Sequence, residues 1–226
     1  MVCLPSIKEI GVASTTVSLK TFIMVIAGIV LIEAAASVVW TYARPGKLKL
    51  IGWIRVLEIA WIFWIATWNG ELKLIGLSKA GLGQGVQQGI IWSALFGVTA
   101  LVAYGLLKNI DINPLPWIHV KLPPAGADRW LFFLVAGLIS PLAEELCFRG
   151  VVYGFFRRWG IAISLVISTG LFVLAHTDAR TLPFPQIIGG IVFGWSYARA
   201  GSLMTPFIIH SSGNLFLFAL SIWIGL

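Results

Sequence analysis

A chain of 226 residues that is 58% hydrophobic and 11% charged, with a mean hydropathy of +0.93, carries more apolar surface than one water-soluble core can hide. The net charge of +7 is spread over short connections between apolar runs, which excludes a nucleic-acid groove and fits charges flanking membrane spans. The two cysteines, Cys3 and Cys147, are far apart and form neither a metal nor a redox motif.

A membrane-spanning helix needs about 20 mostly apolar residues. Such runs fall at roughly 18–42, 50–68, 85–107, 129–156, 160–177, 184–199 and 203–225. Lys8, Glu9 and Lys20 interrupt the first twenty residues, and the run from Thr21 is too long for a signal h-region, so it is expected to stay as a span. The fifth and sixth runs are short and glycine-bearing. Turn signals separate the runs: Arg44-Pro45-Gly46, Asn69-Gly70, Asn113-Pro114 with Pro116, Pro123-Pro124, Asp178 with Pro183 and Pro185, and Gly201. The expected architecture is all-α, a polytopic transmembrane helix bundle of about seven spans. Residues 1–128 are expected to form an N-terminal region of three spans and a long connection, and 129–226 a second transmembrane region that holds every unusual polar residue. Seven Lys and Arg residues fall on each side, so charge does not set the orientation.

Glu33 and Glu58 are expected to stand alone in the first two spans, as interhelical hydrogen bonds or water-facing groups. The fourth span is different. Glu144 and Glu145 lie mid-run, followed by Arg149 four residues after Glu145, on the same helix face. Glu144 points about 100° away, so it cannot share that ion pair equally. Pro141 removes a backbone donor just before the pair and is expected to loosen the turn at the carbonyl of Gly137. Phe172 and His176 close the fifth span. His210 and Asn214, four apart, share a face of the seventh, one turn after Pro206. His119, the third histidine, is expected in the polar connection.

Each cluster alone has a structural reading: an ion pair, an interfacial histidine, polar glue between helices. Together they make a hydrolytic set. A carboxylate and a histidine can take a proton from water, and an imidazole and an amide can donate to an oxyanion. Counted along the helices, Glu144 lies about 22 Å into its span and His210 only about 10 Å into its own. The groups meet only if helices tilt or bend, or if the sixth run does not fully cross.

Glu144-Glu145-x-x-x-Arg149, Phe172-x-x-x-His176 and His210-x-x-x-Asn214, in that order on separate spans, resemble the CAAX protease and bacteriocin-processing (CPBP, Abi) family of intramembrane glutamic endopeptidases. The likeness covers roughly 129–226. It implies that Glu144 and His176 activate water, that His210 and Asn214 hold the oxyanion, and that Glu145, Arg149 and Phe172 brace the site. It implies no metal and no cofactor, a membrane-associated protein or peptide substrate cut near its C-terminus, and residence in the bacterial inner (plasma) membrane, with no nucleic acid among the partners. The third motif lies close to the last residue, so the eighth span of the prenyl-CAAX enzymes is not expected here, which speaks against their prenyl substrate. Other readings remain: a metalloprotease with Glu144, His176 and His210 as ligands, a proton-coupled transporter, or a non-enzymatic scaffold or immunity protein.

Overall fold

The computed structural model describes residues 16–118, 120–176 and 184–224. His119 and the turn signals at Asp178 and Pro183 lie outside them. Among the described residues every regular element is helical. Seven principal helices follow one another: α1 (Leu19–Ala43), α2 (Lys47–Trp68), α3 (Lys79–Asn109), α4 (Ala127–Trp159), α5 (Ile161–His176), α6 (Phe184–Ala200) and α7 (Met204–Trp223). A single turn, Leu115–Ile118, lies in the connection between α3 and α4. Five of the helices, α1 to α4 and α7, are long and apolar enough to cross a bilayer, which makes this an integral, multi-pass membrane protein. The other two, with 16 and 17 residues, are about 24–26 Å long, short of the hydrocarbon core of about 30 Å.

Local chemistry sets the helix ends. The hydroxyl of Ser18 caps α1 by accepting from the Thr21 amide, and Ser78 caps α3 by accepting from the Gly81 amide. Gly160 alone joins α4 to α5, at φ 103°, a region that residues with a Cβ rarely enter. Apolar side chains on the outer faces, such as Leu31, Leu95, Val98 and Leu101, are exposed and suited to lipid.

The N-terminal end of α1 is tied to its neighbours by directional bonds. The Ser18 amide donates to Glu71, Asn69 donates to Thr21, and the Val17 amide donates to the Gly154 carbonyl. The loop after α2 is wedged inward: the Leu203 amide donates to the Gly76 carbonyl, and Gly150 lies against Ile75 and Leu203. This wedge answers the depth problem. The α6–α7 turn sits level with Gly150, well inside the end of α4. From Gly150 back to Glu145 is about 7 Å along the helix, and from Leu203 on to His210 about 10 Å. His210 therefore reaches the level of Glu145.

Two expectations about proline change. Pro206 lies in the first turn of α7, where its missing donor costs nothing, so it starts the helix rather than loosening it. Before Pro141, α4 widens into the i→i+5 register over Val135–Ile139, with the Ser140 amide donating to the Val135 carbonyl. In that register Pro141 fails to serve the carbonyl of Ala136, not that of Gly137. The side-chain amide of Asn214 donates to Ala136 instead, at 2.9 Å.

Candidate active site

Adjacent positions on α4 send Glu144 and Glu145 to different partners. Glu145 turns inward. Its Oε1 accepts from Arg149 Nη1 at 3.1 Å, with both side chains fully buried. The guanidinium is further held by the Gly190 carbonyl at 3.2 Å and by the faces of Phe172 and Phe193, 4.6 and 5.3 Å from its carbon. The same Oε1 lies 2.8 Å from His210 Nδ1. A carboxylate only accepts, so that nitrogen carries the hydrogen and Nε2 is turned outward. Phe193 stacks on the His210 ring at 4.5 Å and 18°.

Glu144 faces the other way. Its Oε2 stands 3.5 Å from His176 Nε2 and 3.7 Å from His210 Nε2. His176 Nδ1 is 2.8 Å from the Phe172 carbonyl, which also only accepts, so here too the δ nitrogen carries the hydrogen. Both imidazoles thus commit Nδ1–H elsewhere and offer Nε2 to one carboxylate oxygen. Three acceptor atoms thus face one another across this space. Side-chain exposure falls from 30% at His176 to 13% at Glu144 and 7% at His210, so the cluster is reached from the His176 side.

Glu144, His176 and His210 come together, and Glu145, Arg149 and Phe172 form a layer behind them. Asn214 lies one turn beyond His210 with one amide hydrogen spent on Ala136; the other has no partner among the described residues. No three His, Cys, Asp or Glu side chains among the described residues are grouped to hold a metal ion.

The expectation that Glu33 and Glu58 stand alone is corrected, while the interhelical bond expected of Glu33 is present. Arg55 on α2 joins them, with Nη1 2.6 Å from Glu58 Oε2 and 3.3 Å from Glu33 Oε1 on α1. The signal was available: an arginine inside an apolar run costs about 2.5–3.5 kcal/mol on insertion scales and must find partners, and Glu58 stands three residues on. Phe193 gave no signal, being one apolar residue in an apolar helix.

Residues 126–216 match the family model described as type II CAAX prenyl endopeptidase Rce1-like. The chain is 35% identical over 82 residues to the UPF0177 protein YxdF of Lactococcus lactis, covering 36% of this chain and 45% of that one. It is 32% identical over 93 residues to the membrane-embedded CAAX protease MroQ of Staphylococcus aureus, covering 38% and 37%. An uncharacterized 24.3 kDa protein of Escherichia coli is 25% identical over 152 residues, covering 63% and 66%. The chain thus spans less than half the length of the first two relatives. No solved structure matches it. The stretch that carries the three motifs is thus similar to the Rce1-like type II CAAX prenyl endopeptidases over residues 126–216.

Proposed function

We propose that this protein is an intramembrane glutamic endopeptidase that cuts a peptide bond of a membrane-associated protein or peptide in the bacterial inner membrane. The observation that carries the reading is the approach of one Glu144 oxygen to the Nε2 atoms of both His176 and His210, at 3.5 and 3.7 Å, inside the family domain. A buried carboxylate beside two imidazoles is suited to moving a proton on and off water.

In this reading water enters from the His176 side. Glu144, assisted by His176, takes a proton as the water oxygen bonds to the scissile carbonyl carbon. The carbonyl oxygen becomes an oxyanion. His210, held by Glu145 through Nδ1–H and protonated at Nε2, donates to it, and so does the second amide hydrogen of Asn214. The tetrahedral intermediate collapses, the C–N bond breaks, and the proton on Glu144 passes to the leaving amine. Arg149 pairs with Glu145, and Phe172 and Phe193 keep the rings in place.

The test compares protein termini in membranes of cells making the wild type or Glu144→Gln at equal abundance. Termini found only with the wild type establish proteolysis and name the substrate. Identical termini, in cells where the deletion phenotype shows the protein to be working, would overturn the reading in favour of a scaffold or transporter.

A further inference from the structure

We propose that Ser140 is a substrate-binding residue of this site, its hydroxyl donating to a backbone carbonyl of the bound peptide two residues from the scissile bond. This deepens the protease reading and rests on it.

The argument begins with a hydroxyl that behaves unlike most others in the chain. A serine or threonine inside a helix commonly donates to a carbonyl one turn back. Ser37, Thr41, Thr67, Ser93, Thr99 and Ser164 all do so here, at 2.7–2.8 Å. In apolar surroundings that bond keeps the group from going unpaired. Ser140 directly follows the widened register of Val135–Ile139, and its hydroxyl makes no hydrogen bond among the described residues. Thr169 and Ser211 also lack a partner there, but their oxygens are sealed inside the bundle. Ser140 is half-buried and its oxygen is not sealed, so an incoming molecule can reach it.

Position says what it would meet. Ser140 stands one turn before Glu144 on the same face of α4, about 6 Å along the axis. Asn214 stands one turn beyond His210 on the antiparallel α7, and its amide reaches the Ala136 carbonyl, in the turn of α4 that leads into Ser140. The four side chains therefore mark two levels: Glu144 with His210, 3.7 Å apart, and Ser140 with Asn214 one turn away. α5 leaves the second level uncovered. It runs back along α4 from Gly160 and ends at His176, whose ring is 3.5 Å from Glu144. On the other side of Glu144 the same face is filled, with Phe148 edge-on to Phe172 at 5.4 Å. A chain that lays its scissile bond at Glu144 thus continues past Ser140.

Chemistry fixes the group. Each peptide bond of the substrate brings a carbonyl that loses water on entering and needs a donor. In an extended chain, carbonyls two residues apart point the same way, about 6.6 Å apart at about 3.3 Å per residue. The rise of about 6 Å from Ser140 to Glu144 matches that repeat. With the scissile carbonyl held by His210 and Asn214, the carbonyl two residues away arrives opposite Ser140. A hydroxyl in this place holds the backbone and ignores side chains, so it fixes the register of the cut rather than the sequence around it.

The test measures binding of a probe that cannot be cut. The full-length protein in nanodiscs is titrated with a six-leucine peptide, acetylated and amidated at its ends, whose central peptide bond is replaced by a hydroxyethylene unit that stands in for the tetrahedral intermediate. Two analogues also carry a trans-alkene in place of the peptide bond whose carbonyl lies two residues before, or two residues after, the central one. Ser140→Ala should weaken the parent probe about tenfold, and Ser140→Thr, which keeps a hydroxyl, should restore part of the loss. One of the two alkenes should weaken binding about tenfold more in the wild type than in Ser140→Ala, because only the wild type has a hydroxyl to lose. The missing N–H acts on both proteins alike and cancels. The analogue that shows the coupling gives the direction of the chain. Alkenes that weaken both proteins by the same factor overturn the proposal, since Ser140 would then act through the fold alone. So does a parent probe bound equally by wild type and Ser140→Ala, or not bound by the wild type up to millimolar concentration. Coupling through Ser140 together with membrane termini unchanged by Glu144→Gln would instead overturn the protease reading and leave a peptide-binding groove standing.

Discussion

Glu145 reaches across 65 residues of sequence to His210, its Oε1 2.8 Å from the imidazole Nδ1. That single contact divides the labour of two adjacent glutamates. Glu145 is committed to a buried layer with Arg149 and His210, and Glu144 is left free to face the Nε2 atoms. Neutral swaps at the two positions should therefore fail for different reasons.

Glu145→Gln leaves the Arg149 guanidinium buried without its counter-charge, a change that costs about 3–5 kcal/mol. It also weakens the hold on the His210 ring, because an amide oxygen accepts from Nδ1–H less strongly than a carboxylate, which should lower kcat about tenfold if that ring serves the oxyanion. Glu145→Leu combined with Arg149→Met removes the pair together and should recover most of the stability but none of the activity. Thermal unfolding in nanodiscs and peptide turnover separate the two effects. Recovery of turnover in the double variant would show that Glu145 only supports the fold.

The seven helices were legible in the sequence because apolar runs and turn residues mark them directly. Glu144, His176 and His210 were legible because ionisable residues inside spans are rare. What stayed hidden belongs to packing. Arg55 links Glu33 to Glu58 only because α1 lies on α2, with Gly28 giving way to the Trp61 indole, and neither helix alone announces that meeting. The level of His210 is set by the Gly76–Leu203 bond, a contact between loops distant in sequence. The Ala136 carbonyl became a partner through a change of helical register, and backbone groups have no letter of their own.

Asn214→Ala should strand that carbonyl and cost about 1–3 kcal/mol. Pro141→Ala restores an amide hydrogen one helical bond away from Ala136 and should return part of the lost stability in the double variant. Turnover should stay down about a hundredfold in both, because the second Asn214 amide hydrogen is not replaced. Turnover regained along with stability would mean that Asn214 acts only through the turn.

His176→Ala removes a proton-carrying ring at the accessible end of the cluster and leaves the buried Glu145–Arg149–His210 layer untouched. Its effect should fall on kcat, by about 10²–10⁴-fold, with KM changed only a few-fold and the unfolding temperature nearly constant. Steady-state kinetics on the substrate found from the membrane termini checks the split. A rise in KM with kcat intact would place His176 in substrate binding instead.

Gly160 sets where α5 begins and so where His176 ends, yet no atom within 4 Å would meet a side chain there. Gly160→Ala therefore probes the backbone alone. Holding an alanine at φ 103° costs about 1–3 kcal/mol, which for a chain of this size lowers the unfolding temperature by several degrees at about 2–4 °C per kcal/mol. Because α5 is pinned separately by its packing on α6, where Gly190 lies against Thr169 and Gly194 against Leu165, His176 should keep its place and kcat should hold. A loss of kcat with little change in unfolding temperature would show the reverse, that the strain is relieved by letting α5 slide and that the α4–α5 turn positions the histidine.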